Sequence, residues 1–83
     1  MPVDLSLVKH TLNVLANMGG ASLPQDTLGA EVELRAGRPL ITQHIEDVLT
    51  LCRDKGWASP RVDDFGRTLW HITDAGQNKR GAL

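Results

Sequence analysis

The sequence predicts an α+β fold that is mostly helical, with three helices, a two-stranded β-hairpin and a short C-terminal helix. Two observations support this prediction. Apolar residues recur at helical spacing in three separate segments, and each segment ends at glycine. Two runs rich in strand formers, residues 57–62 and 67–72, then flank Asp63-Asp64-Phe65-Gly66, which is typical of a hairpin turn. With 83 residues, the chain is expected to form a single domain, residues 1–83, around one modest core.

The first helix is predicted from about Asp4, as its N-cap, to Met18, with Gly19-Gly20 as its stop. Its apolar residues cover about half of the circumference. They form two neighbouring stripes, one of Leu5, Val8, Leu12 and Leu15 and the other of Leu7, Val14 and Met18. So wide an apolar arc has two explanations. Either the helix packs centrally among the other elements, or the second stripe is a homodimer interface.

The second helix is predicted to begin at Ser22-Leu23-Pro24-Gln25, which matches the S-x-x-Q capping box, and to end at Gly37. Leu28, Val32 and Ala36 give it a thin apolar stripe. Only a short turn separates this helix from the third one. The two are therefore predicted to form a helix-turn-helix, in which the second helix is the candidate reader of DNA.

The third helix is strongly amphipathic when its residues are placed at about 100° steps. Its apolar residues fall within one arc, formed by Ile41, Ile45, Val48, Leu49 and Cys52. The opposite arc is polar and carries Gln43, Glu46, Asp47, Thr50 and Asp54, with Arg53 at its edge. Either Thr42 is the N-cap, or the helix begins near Pro39. Gly56 is predicted to end it in a left-handed conformation.

In the hairpin, Pro60 cannot donate a ladder hydrogen bond, so its strand is predicted to lie at the edge of the sheet. The second strand alternates, with Thr68, Trp70 and Ile72 on one face and Leu69 and His71 on the other. Thr73 follows as the N-cap of the last helix. The final residues, Asn78–Leu83, are predicted to be a loose tail.

Composition narrows the classes of function. Nine basic and ten acidic residues give a net charge of −1, which favours neither nucleic acid nor anionic membrane as a partner. The single cysteine allows no internal disulfide, and no signal peptide or membrane span is recognised, so a cytoplasmic protein is expected. The histidines and the cysteine show no metal-ligand spacing, and no phosphate-binding loop is present. Neither an enzyme nor a bound metal or cofactor is expected.

Two motifs give these elements a family resemblance. Trp70-His71-Ile72-Thr73-Asp74-Ala75-Gly76 is similar to the hydrophobic-x-[Leu/Ile]-Thr-x-x-Gly sequence that ends the hairpin in many winged-helix regulators. Leu49-x-x-Cys52-x-x-Lys55-Gly56-Trp57 is similar to the end of the third helix in the same proteins. Over about residues 3–77 the chain thus resembles the bacterial winged-helix superfamily, whose hairpin is called the wing.

The resemblance implies a DNA-binding protein, either a transcriptional regulator or an accessory regulator. The third helix would enter the major groove, and the wing would contact the DNA backbone or the minor groove. The residues that this implies for DNA contact are Arg38, Thr42, Gln43, His44, Arg61 and Arg67. Glutamine can pair bidentately with adenine and arginine with guanine, so suitable side chains are present.

The charge of the third helix supports a second interpretation. Its polar face carries three carboxylates against Arg53, whereas phosphate contact needs clustered positive charge. The alternative is a protein-interaction or assembly module, in which this acidic face or the first helix docks a partner. The sequence therefore leaves DNA, a second copy of the chain and another protein open as partners, and it predicts no membrane partner.

Overall fold

A computed structural model of the protein describes residues 3–19 and 21–83. In chain order, its elements are α1 (Leu5–Ala16), β1 (Leu23–Pro24), α2 (Gln25–Ala36), α3 (Thr42–Asp54), β2 (Ala58–Val62), β3 (Thr68–Ile72) and α4 (Asp74–Ala82). The strands form one antiparallel sheet in the order β1-β3-β2. The predicted α+β, mostly helical fold is confirmed. Within the described ranges, no helix has the length and apolar character needed to cross a membrane.

The core lies between the first three helices and the face of β3 that carries Trp70 and Ile72. The side chains of highest burial come from all three helices and include Val8, Leu12, Leu15, Leu28, Val32, Val48, Leu49 and Cys52. Burial raises the pKa of the Cys52 thiol to about 11, because the thiolate would lose its hydration there. Cys52 is thus a core residue, as its place in the apolar arc of the third helix predicts.

Central packing explains the wide apolar arc of α1, which contacts α2, α3, β3 and α4. Leu7 and Val14 are each only 4% exposed, whereas Met18, beyond the end of the helix, is 36% exposed. Leu7 and Val14 are thus buried within the chain. For these two residues the burial favours central packing over the alternative of a homodimer interface, which Met18 leaves as a prediction. Gly20, which is predicted to help stop the helix, lies outside the described residues.

The start of α2 differs from the prediction. Residues 22–25 form no capping box, because Leu23 and Pro24 pair with β3 and the N-cap position of α2 is occupied by Pro24, without a side-chain hydrogen bond. The side chain of Gln25 instead accepts a 3.0 Å hydrogen bond from Nε1 of Trp70. The segment predicted to cap the helix therefore forms the edge strand β1 and, through Gln25, anchors Trp70 on the central strand. Gly37 ends α2 with a φ of 69°, as predicted.

The start of α3 corrects both predicted alternatives. The helix begins at Thr42, and Ile41 is the N-cap residue, with no side-chain hydrogen bond to the helix. Ile41 is also 62% exposed, so it does not belong to the buried arc. The rest of that arc, from Ile45 to Cys52, is buried as predicted. At the other end, Gly56 has a φ of 75°, which confirms the left-handed stop.

The wing, formed by β2, β3 and the turn between them, agrees with its sequence pattern. β2 is an edge strand, as Pro60 predicts. Thr73 is the N-cap of α4: its Oγ1 accepts a 3.0 Å hydrogen bond from the backbone N–H of Gly76 and donates one of 2.5 Å to the carbonyl of Gly56. α4 itself continues to Ala82, through most of the segment predicted to be a loose tail, Asn78–Leu83.

Close packing explains why the Thr-x-x-Gly motif ends in a glycine, which in this chain is Gly76. It is buried where α4 crosses the chain just before β2. A Cβ at this position would lie 2.7 Å from Cγ1 of Ile72 and 2.9 Å from the carbonyl carbon of Trp57. Only glycine lets α4 approach the backbone of Trp57 so closely. In this position the ammonium group of Lys79, also on α4, lies 5.1 Å from the centre of the Trp57 ring.

Candidate nucleic-acid interface

α3 presents a polar surface on the side opposite the core. Its exposed residues are Thr42, Gln43, His44, Glu46, Asp47, Thr50, Arg53 and Asp54. Thr42 borders a cleft between α3 and α2, and Glu46, Thr50 and Arg53 border a groove between α3 and the sheet. α3 and the wing therefore lie side by side, with an open groove between them.

The predicted DNA-contacting residues do not all share this side of α3. His44 borders a different cleft, between α3 and α1, together with Arg38 and Asp47. The charged groups that line this second cleft are of both signs, because Asp4 and Asp47 lie there with Arg38. The structure therefore separates Arg38 and His44 from Thr42, which lies on the α2 side of the helix.

Arg38 is bound to the start of α1. Its guanidinium donates to a carboxylate oxygen of Asp4 at 3.1 Å. The other carboxylate oxygen of Asp4 caps α1 by accepting from the backbone N–H and the hydroxyl of Ser6, at 2.9 and 2.7 Å. The Ser6 hydrogen bonds lower the pKa of the Asp4 carboxyl, with Arg38 as a smaller contributor. A DNA phosphate would have to compete with Asp4 for the Arg38 guanidinium.

Gln43 is held by a carboxylate of its own helix. Its Nε2 donates a 2.7 Å hydrogen bond to Oδ1 of Asp47, one turn further along α3. The second hydrogen of Nε2 and the amide oxygen remain available, which are the groups that pair with adenine. Asp47 therefore orients the amide of Gln43 and at the same time places a negative charge beside it.

A single carboxylate organises the turn of the wing. Oδ1 of Asp63 accepts hydrogen bonds from the backbone N–H groups of Phe65 and Arg67, both 2.9 Å long. Oδ2 accepts a 2.8 Å hydrogen bond from Nε of Arg67. Gly66 has a φ of 77°, a positive value that glycine adopts more readily than other residues. Arg67 is thus fixed at the base of the turn.

Arg61 differs from Arg67 in its surroundings. It is exposed, and among the described ion pairs none includes it. Its cross-strand partner is Leu69, so both side chains lie on the face of the hairpin that points away from Trp70 and the core. Arg61 is therefore a wing cation on the outer face, available to a phosphate.

The hydrogen bonds to Asp63 make the wing turn sensitive to acid. They lower the pKa of this carboxyl below its ordinary value of 3.8, with the backbone N–H of Arg67 as the largest cause. A lowered pKa means that the ionised form stabilises the turn above that ordinary value, and that this stabilisation is lost as the pH falls through the folded-state pKa. We expect the amide NMR shifts of Phe65 and Arg67 to titrate with a midpoint below 3.8. Asp63→Asn should abolish this titration, and a midpoint at or above the ordinary value would contradict the account.

Negative charge dominates the exposed face of α3. Glu46, Asp47 and Asp54 lie there with Arg53, and the guanidinium of Arg53 is paired with Asp54 at 3.4 Å. The wing carries two arginines and two aspartates, so its own charge is balanced. Within the described part of the chain, this surface has no cluster of cations of the kind that draws a protein to DNA phosphates.

Phe65 is the wing residue to which the sequence pattern assigns no role. It is 85% exposed, more than any other large apolar side chain in the described part of the chain. The guanidinium of Arg67 lies 6.0 Å from the centre of its ring. The sequence feature that could have drawn attention to Phe65 is a large apolar residue within an otherwise polar turn.

The described residues contain no group of three or more histidine, cysteine, aspartate or glutamate side chains that could hold a metal ion.

Comparison with known proteins identifies the fold. No protein-family model matches the chain, and no curated protein matches it in sequence. Among solved structures, it is similar to a MarR-family transcriptional regulator from Silicibacter pomeroyi, with 19% identity and a TM-score of 0.77 over 93% of this chain and 47% of that one. It is also similar to the PcaV transcriptional regulator from Streptomyces coelicolor, with 25% identity and a TM-score of 0.72 over 89% of this chain and 48% of that one.

A third similar structure is F93 from STIV, a winged-helix DNA-binding protein, with 18% identity and a TM-score of 0.74 over 100% of this chain and 85% of that one. The chain spans about half the length of the two regulators named first. These likenesses confirm the winged-helix fold that the two motifs predict.

Proposed function

We propose that this winged-helix chain binds duplex DNA and acts as a transcriptional or accessory regulator, with α3 in the major groove and the wing on the backbone or minor groove. The observation that supports this most is the arrangement of α3 beside the wing, within a fold similar over its whole length to a winged-helix DNA-binding protein. Thr42 and Gln43 are exposed at the start of α3 and would contact bases. We likewise propose the cytoplasmic location that the sequence predicts.

The charges predict weak binding with few phosphate contacts. Arg61, which is in none of the described ion pairs, would supply a cation of the wing. A phosphate would have to compete with Asp63 for Arg67 and with Asp4 for Arg38. The same acidic face favours the second candidate, a module that docks a protein partner through α3. DNA binding has the stronger support, because it uses both the exposed start of α3 and the cations of the wing.

Fluorescence anisotropy of a labelled, mixed-sequence duplex tests the proposal. The chain is titrated into the duplex at two salt concentrations. Because each neutralised phosphate releases counterions, we expect affinity that falls as salt rises, with a shallow slope that reflects few contacts. No binding at low salt would reject the proposed function and leave the protein-docking alternative.

Removal of the wing cations should weaken this binding. Arg61→Ala and Arg67→Ala should each reduce the salt slope by about one phosphate contact and lower affinity alike for all sequences. Arg35→Ala is the matched control, because Arg35 is exposed on α2 outside the cleft that α2 forms with α3. If the double variant binds DNA as tightly as the unchanged protein, the wing makes no contact.

A further inference from the structure

The tip of the wing places a large apolar side chain in water. Phe65 is 85% exposed, and Val62, at the end of β2, is 69% exposed. Single exposed apolar residues are common on proteins and need no explanation by themselves. Phe65 differs because the backbone that carries it is held firmly in place.

Several hydrogen bonds fix that backbone. Asp63 accepts from the N–H groups of Phe65 and Arg67 through its side chain, and its own N–H donates a 2.9 Å hydrogen bond to the carbonyl of Arg67. The N–H of Gly66 closes the turn with a 3.1 Å bond to the carbonyl of Asp63. The ring of Phe65 therefore projects from a preformed turn, and little conformational freedom remains to be lost when it meets a partner.

Charge alone does not give the wing its affinity for DNA. Its two arginines are matched by Asp63 and Asp64, so long-range attraction to phosphates largely cancels. The apolar ring is the remaining feature with which the tip can bind. The guanidinium of Arg67 lies 6.0 Å from the centre of the Phe65 ring. If the ring entered a groove of DNA, this guanidinium would reach the phosphates along the edge of that groove.

We propose that Phe65 is an apolar wedge that enters the minor groove of duplex DNA and partly unstacks one base step. Phenylalanine is among the side chains that proteins insert in this way, and such insertion kinks the duplex toward the major groove. The inference rests on the proposed function. Pyrimidine–purine steps unstack most easily, so the wing should favour a TA step at the position that it meets.

The shape of the tip favours DNA over a protein as the occupant. The connection between β2 and β3 is only five residues long, 63–67, and is a narrow projection. Stable protein partners bury about 800 Å² on each side, which a single turn does not offer. A narrow groove bordered by phosphates matches one ring with a neighbouring cation.

The test measures both affinity and DNA bending, with a duplex that carries a fluorescent donor and acceptor at its two ends. The unchanged protein should bend the duplex, and more so when a TA step replaces an AA step. Phe65→Ala should lower affinity about tenfold and abolish bending, while the salt slope stays the same. Phe65→Leu should retain bending, because leucine is also a wedge residue.

Asp64→Asn is the matched control in the same turn: it should raise affinity and leave bending unchanged. Circular dichroism checks that each variant keeps its fold. If Phe65→Ala binds and bends DNA like the unchanged protein, the wedge is overturned and the proposed function stands. If the unchanged protein binds no duplex, both fail together. Self-association that depends on Phe65 in sedimentation, without DNA binding, would likewise overturn the wedge.

Discussion

Replacement of Gly76 by alanine is expected to lower the free energy of unfolding by about 3 kcal/mol, at the upper end of the usual cost of overpacking. The added Cβ would lie 2.7 Å from Cγ1 of Ile72 and 2.9 Å from the carbonyl carbon of Trp57. One of these neighbours is backbone and the other is a buried side chain, so neither can move cheaply. For a chain of this size, the melting temperature should fall by about 12–24 °C.

Calorimetry or thermal circular dichroism measures this loss, and tryptophan fluorescence should report the displacement of α4 from Trp57. Gly81→Ala is the control, because Gly81 lies in the same helix and no described atom outside its own stretch of helix lies within 4 Å of its Cβ position. Alanine there should be neutral or stabilise the protein by up to about 1 kcal/mol, since alanine is the better helix former. Equal melting temperatures for the two variants would show that α4 does not need the close approach at Gly76.

Features that depend on neighbours within a few residues were predictable from the sequence. Asp63 and Gly66 define the wing turn, and Thr73 caps α4 through the N–H of Gly76, three residues later. Gly37 and Gly56 end their helices with positive φ values. In each case, the residue type itself favours the local backbone conformation, so a single sequence contains the information.

Features that depend on distant residues were not predictable. Gln25 is bound to Trp70, 45 residues away, and Arg38 is bound to Asp4, 34 residues away. The first contact replaces a capping box that the local pattern alone favoured. The second pairs Arg38 with a carboxylate that would compete with a DNA phosphate. Apolar stripes such as that of α1 were likewise ambiguous, because a stripe does not reveal whether its own chain or another one covers it. The remaining DNA contacts, those at the start of α3 among them, stay predictions.

The acidic face of α3 distinguishes the two candidate functions. If α3 enters the major groove, Glu46, Asp47 and Asp54 approach phosphates and oppose binding. If α3 docks a basic protein partner, the same carboxylates contribute attraction. The face therefore has opposite effects on the two kinds of complex, and its neutralisation gives results of opposite sign.

We expect the triple variant Glu46→Gln, Asp47→Asn, Asp54→Asn to bind duplex DNA between about tenfold and a hundredfold more tightly at low salt. Two unit charges about 4 Å apart in water repel each other by about 1 kcal/mol, and less at greater distance, so three carboxylates together reach this range. The amide that replaces the Asp47 carboxylate would keep an oxygen that accepts from Gln43, and Arg53 would lose its charged partner at position 54 and be free for a phosphate. The gain should shrink as salt rises, because salt screens exposed charges.

A single-charge comparison separates this local effect from the change in net charge. Glu46→Gln and Glu31→Gln remove the same charge, but Glu31 is exposed on α2 outside the cleft that faces α3. Anisotropy titrations should show the larger gain for Glu46→Gln. Equal gains would mean that only net charge matters and that α3 is not at the DNA. Unchanged or weaker DNA binding by the triple variant would contradict major-groove entry, because carboxylates that lie far from phosphates have no repulsion to release. That result would favour the alternative in which the acidic face docks a protein.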